Sequence, residues 1–193
     1  SDEKRKIKKA TCPLVILVAG LCVVTMAFAP EVIQVFAGRK YMDAIYVIPP
    51  IAASVFFIFL YSLFSTIEYY YQKTGFIAIA TCVCAILNLI LNYFGIKMYG
   101  YYAAGYTTLI CYVGLVLLHY IFYKKALKEV GYEENMYDVK LIIFSSVIVI
   151  SIMIIMVLTY GQVWIRYGLL IAIACIVIIF RNKILEAILA LRE

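Results

Sequence analysis

The stretch LIIFSSVIVISIMIIMVLTY, residues 141–160, holds twenty residues without one charged side chain. At about 1.5 Å of helical rise per residue, a run of that length crosses the ~30 Å hydrocarbon layer of a bilayer. Similar runs recur along the chain. They cover about 12–36, 44–67, 76–94, 101–123, 141–160 and 163–180, with Glu31 near the end of the first and Arg166 near the start of the sixth. Six transmembrane helices are therefore expected.

Composition agrees with this reading. Of 193 residues, 66% are hydrophobic and 15% charged, and the mean hydropathy is +1.01. An ordinary soluble domain is nearer 45–50% apolar and about 25% charged. A chain this small cannot hide so much apolar surface in one core, because small folded domains keep much of their surface in water. A soluble globule, a disordered chain and a disulfide-stapled secreted module are all excluded. The fold class is all-α, a polytopic membrane protein.

The spans divide the chain into an N-terminal loop (1–11), a four-helix core (12–123), a loop (124–140), two further spans (141–180) and a short amphipathic tail (181–193). The opening Ser1-Asp2-Glu3-Lys4-Arg5-Lys6 has no signal-peptide cleavage site and reads as the inside of a charged loop, hence as part of a longer protein. Counting Lys and Arg on alternate sides of six spans gives 13 against 4. The richer side is expected to be cytoplasmic, which puts both ends of the segment there. The net charge of +6 thus reports topology rather than nucleic-acid binding. Tyrosines gather at span ends, as in Tyr69-Tyr70-Tyr71 and Tyr99, Tyr101 and Tyr102, where amphipathic rings favour the headgroup layer.

Catalytic chemistry finds little support. One histidine, His119, cannot build a paired-His zinc site, and its expected role is a hydrogen-bonded or snorkelling side chain. No phosphate-binding loop, nucleophile elbow or paired-aspartate motif occurs. The six cysteines lack Cys-x-x-Cys spacing and read as small apolar filler. No catalytic residue, metal or cofactor is expected, and the chain is not read as an enzyme.

Polar residues inside spans are more informative. Ala80, Cys84, Asn88 and Asn92 recur every four residues, so they share one helix face. An amide unpaired in hydrocarbon costs several kcal/mol, so Asn88 and Asn92 must meet another helix, as structural glue, or a wet cavity. The next span answers with Ala103, Thr107, Cys111 and Gly114, small residues that permit close approach, and the two helices are expected to pack together. Glu31, with Gln34 nearby, and Glu68 are acids near span ends, read either as hydrated interfacial carboxylates or as ion sites. Pro30 and the Pro49-Pro50 pair are expected to open backbone hydrogen bonds and bend their helices, with a first helical turn, where proline is tolerated, as the alternative for Pro49-Pro50.

These residues carry a resemblance. Ala29-Pro30-Glu31-Val32-Ile33, Phe36-Ala37-Gly38-Arg39-Lys40-Tyr41 and Val47-Ile48-Pro49-Pro50, then Asn88-Leu89-Ile90-Leu91-Asn92, Tyr99-Gly100-Tyr101, Ala103-Ala104-Gly105 and Thr107-Thr108, resemble the C-terminal half of bacterial polysaccharide flippases. These belong to the superfamily of multidrug, oligosaccharidyl-lipid and polysaccharide exporters. The likeness covers about residues 13–125, and the 95–100 turn lacks a proline often found there. It implies the last six helices of a two-bundle transporter of twelve to fourteen helices, moving undecaprenyl-diphosphate-linked oligosaccharide across the bacterial cytoplasmic membrane. Its implied partners are that lipid-linked glycan, membrane lipid and an N-terminal bundle of the same protein, with no nucleic acid. Candidates for the substrate path are Asn88, Asn92, Glu31, Gln34 and Arg39, and for bending or gating Pro30, Pro49 and Pro50. A small-molecule exporter of the same superfamily and a non-transporting membrane scaffold are the competing readings.

Overall fold

A computed structural model describes residues 2–132, 134–164, 166–168 and 171. The described chain is helical: α1 (Asp2–Ala27), α2 (Ala29–Phe36), a 3-10 helix (Arg39–Tyr46), α3 (Ile48–Tyr70), α4 (Thr74–Tyr99), α5 (Ala103–Glu129) and α6 (Val139–Thr159). Five helices among the described residues are long and apolar enough to cross a membrane, and the protein is a multi-pass membrane protein. Most of the expected sixth span and all of the amphipathic tail lie outside the described residues.

The first expected span is shorter than the sequence suggested. The apolar helix covers Ile7–Ala27, and the chain then breaks into the eight-residue α2. Pro30 sits in the first turn of α2, where its missing N–H and fixed φ end one helix and begin the next. Pro49 and Pro50 likewise stand in the first turn of α3, and no bend follows from them there. The loop expected over 124–140 is also shorter, because α5 continues to Glu129 with Lys124, Lys125 and Lys128 on its last turns.

α3 is the hub. It packs against α5 most extensively and also against α1, α6 and α4. Its buried side chains include Ala52, Ala53, Phe56, Phe57, Leu60 and Phe64. The i, i+3/i+4 spacing puts Ala53, Phe56, Leu60 and Phe64 along one stripe. Lipid tails are as apolar as these side chains, so close packing and interhelical hydrogen bonds hold such a bundle rather than water exclusion. One end is fastened by aromatics: Phe64 lies 5.2 Å from Tyr123 and 5.9 Å from Tyr137, centroid to centroid. The Met136 N–H donates to the Tyr123 hydroxyl at 2.6 Å, and the Tyr137 hydroxyl donates to the Leu63 carbonyl at 2.8 Å. Asp138 caps α6 by accepting from the Leu141 N–H.

By contrast, α4 touches chiefly α5 and buries only Ala80 and Cys84. Its other faces are open, and Gly100, at φ +73°, turns the chain sharply into α5. Connections alternate between two ends. Residues 71–73 and 130–138 join helices at the end where α1 starts, and α2, the 3-10 helix and residues 100–102 lie at the other.

Candidate functional site

The stripe on α4 faces α5, as its buried Ala80 and Cys84 require. The Asn92 Nδ2 donates to Asn88 Oδ1 at 2.9 Å, and the Thr107 hydroxyl on α5 donates to Asn92 Oδ1 at 2.6 Å. Asn92 is thus the amide that ties the two helices. Glycine makes the approach possible: a Cβ on Gly95 would stand 3.0 Å from Thr107 Cγ2 and 3.3 Å from Ala103 Cβ. Gly105, on the other side of α5, faces Val47 and Pro50 equally closely. Gly114 differs from this pattern, since nothing lies near where its Cβ would be.

One turn along, Asn88 lines a groove of about 290 Å³ with Thr81 and Cys84 of α4, Thr108 and Tyr112 of α5, and Tyr61 of α3. Amide, hydroxyl and phenol groups therefore meet in one recess of an otherwise apolar surface. Tyr61 and Tyr112 are stacked, with ring centroids 6.3 Å apart and planes 8° from parallel. The other neighbour of Tyr61 is His119, at 5.4 Å and 22°.

Beneath Tyr61 lies the most deeply buried charge-bearing pair of the described chain. His119 Nδ1 stands 2.9 and 3.1 Å from the two carboxylate oxygens of Glu68, and both residues are fully buried. The Nδ1–H is thus shared between the two oxygens, while Nε2 is buried without a partner. The expectation of a hydrogen-bonded histidine is met by this contact. The expectation of a hydrated carboxylate at Glu68 is not: α5 runs alongside the last turns of α3 and covers it. Neither sequence spacing nor local pattern pairs residues 51 positions apart. The available signal was that both are ionisable groups near the same-side ends of the second and fourth expected spans.

A second polar cluster forms at the opposite end. Arg166 Nη2 donates to Glu31 Oε1 at 2.5 Å, and the Tyr167 hydroxyl donates to the same oxygen at 2.8 Å. Arg166 is 5% exposed, against 34% for Glu31. Glu31 is therefore held by an arginine that follows α6, rather than facing the α4–α5 groove. Gln34 and Arg39 are exposed and do not line that groove. Of the five path candidates, the structure brings together Asn88 and Asn92 alone. Among the described residues no three His, Cys, Asp or Glu side chains converge as metal ligands would.

No protein-family model, curated protein or solved structure matches the chain.

Proposed function

We propose that this chain is part of a flippase that carries undecaprenyl-diphosphate-linked oligosaccharide across the bacterial cytoplasmic membrane. The observation that carries the reading is the α3–α4–α5 groove, where Asn88, Thr108 and Tyr61 offer hydrogen bonds, and Tyr61 and Tyr112 a stacked aromatic pair, beside an exposed apolar surface. Moving a glycan needs a polar track, while the polyprenyl tail stays in lipid. Such a track needs donors and acceptors but few fixed charges, and aromatic faces suit the C–H surfaces of sugar rings. The resemblance of the Asn88–Asn92 and Gly100–Thr108 segments to polysaccharide flippases supports the same reading.

In this reading the exposed faces of α4 meet a second helical bundle of the transporter, which supplies the opposing wall for alternating access. The lysine-rich end of the bundle faces the cytoplasm.

The test is flipping of a labelled lipid-linked oligosaccharide by the reconstituted transporter. Asn88→Leu, which keeps bulk and removes the amide, is expected to lower the flipping rate at unchanged protein level and heat stability. Unchanged flipping by well-folded Asn88→Leu and Thr108→Val proteins would remove the groove from the substrate path.

A further inference from the structure

We propose that Glu68 and His119 form a proton-binding site within the membrane, loaded and unloaded at Nε2 of His119. This inference is independent of the flippase reading. It rests on three observations: both side chains are fully buried, Nδ1 is committed to the carboxylate at 2.9 and 3.1 Å, and Nε2 is buried with no partner.

Buried polar atoms left unsatisfied call for an explanation; Glu31, Asn135 and Arg166 also carry such atoms, but each of those residues keeps some exposure, whereas His119 keeps none. At Nε2 the explanation follows from charge. With the imidazole protonated, the pair is an imidazolium and a carboxylate, neutral overall, and Nε2–H is a donor awaiting an acceptor. Without that proton the carboxylate stands as a net negative charge in a low-dielectric interior, and Nε2 is a lone pair awaiting a donor. Both forms expose their unmet need at the same atom.

Neighbouring groups leave this balance to the proton. From α3, Tyr61 stacks on the imidazole and presents a ring face. From α5, Tyr112 stacks on Tyr61, and the Tyr123 hydroxyl is engaged by Met136 N–H. From α4, the thiol of Cys84 packs with Leu115. Lys73 and Glu129, at the same end of the bundle, pair with each other. α6 carries one charged residue, Lys140 in its first turn, and the charged residues of α1 fall within its first nine positions. No described charge on those helices forms an ion pair with Glu68 or His119 besides the one they form together.

A single side chain bars the approach to this site from the groove. Tyr61 lines the α3–α4–α5 groove and covers His119, so one ring separates that recess from the imidazole. In the loading step the Tyr61 ring swings aside, and a hydronium ion entering from the groove gives its proton to the Nε2 lone pair and leaves as water. Unloading is the reverse, with no change of oxidation state.

His119 is the chain's one histidine, so selective ¹⁵N-histidine labelling reports this site alone. In lipid nanodiscs, lowering the pH across about 8 to 5 is expected to replace a pyridine-type Nε2 signal with a protonated one. Glu68→Gln keeps an acceptor for Nδ1–H but removes the charge that favours the imidazolium. The change is then expected at lower pH than in the parent. An Nε2 signal that stays in one form across this range in the parent overturns the proposal, whether or not the variant accumulates. Identical titration in parent and Glu68→Gln overturns the role of the pair.

Discussion

The hydroxyl of Tyr160 donates a 2.6 Å hydrogen bond to the carbonyl of Met26, 134 residues away. In an uninterrupted helix that carbonyl would accept from the N–H four residues on, and here that residue is Pro30, which has none. The phenol at the end of α6 thus replaces the backbone donor lost where α1 gives way to α2. Tyr160→Phe is expected to leave a buried carbonyl unpaired and to cost about 1 kcal/mol. In a Pro30→Ala background the missing N–H returns, and the same substitution should become nearly neutral. Thermal unfolding of the four proteins in one detergent gives the coupling, and additive effects would refute the link.

Glycine substitutions should separate close helix contacts from open ones. A Cβ on Gly105 would meet Pro50 Cγ and Val47 Cγ1 at 3.1 Å and the Val47 carbonyl oxygen at 3.2 Å. A proline ring and a backbone oxygen yield poorly, so Gly105→Ala is expected to lose about 1–3 kcal/mol. Gly114→Ala meets open space inside the same helix and should be neutral or gain up to about 1 kcal/mol from helix propensity. Equal unfolding temperatures for the two variants would contradict the packing at the α3–α5 seam.

The two asparagines have different jobs. Asn92 accepts from Thr107 across the α4–α5 seam, whereas Asn88 accepts from Asn92 within α4 and lines the groove. Asn92→Leu should therefore cost more stability than Asn88→Leu. Interhelical hydrogen bonds in membranes average about 0.6 kcal/mol, so the gap is small and is best read against Thr107→Val, which should be non-additive with Asn92→Leu. In a transport assay the order should reverse, with Asn88→Leu the more damaging.

Alkaline stability should depend on Tyr137. Burial pushes its phenol above the ordinary value, and its hydroxyl donates to the Leu63 carbonyl. The unfolded chain therefore loses this proton first, at about pH 10, and the folded state loses stability as pH rises beyond that point. Tyr137→Phe should be less stable at neutral pH and show a shallower decline above it. Parallel pH–stability curves would argue against this contribution.

Topology can be read with a thiol. Cysteine placed at the exposed Lys128, in a background without the native cysteines, should react with a membrane-impermeant reagent only after cells are opened. Placed at the exposed Arg39, it should react in intact cells. The reverse pattern would invert the orientation drawn from the 13-to-4 split of Lys and Arg.

The sequence by itself determined the membrane helices, because a charge-free run of some twenty residues has few stable alternatives to a bilayer-spanning helix. It also determined that Asn88 and Asn92 share a face with Ala80 and Cys84, since helical periodicity alone places them there. Tertiary structure decided what those faces meet: Asn92 takes Thr107, and Asn88 takes the groove. Pro30 marked a bend in the first apolar run, yet only the fold revealed that the helix ends there and that Tyr160 answers the vacant carbonyl of Met26. Glu68 and His119 looked like separate residues near span ends, and Glu31 and Arg166 like isolated charges. Their pairings span 51 and 135 residues. Periodicity fixes a residue's direction on its own helix, while a contact also needs the rotation and depth of the neighbouring helix, which packing sets.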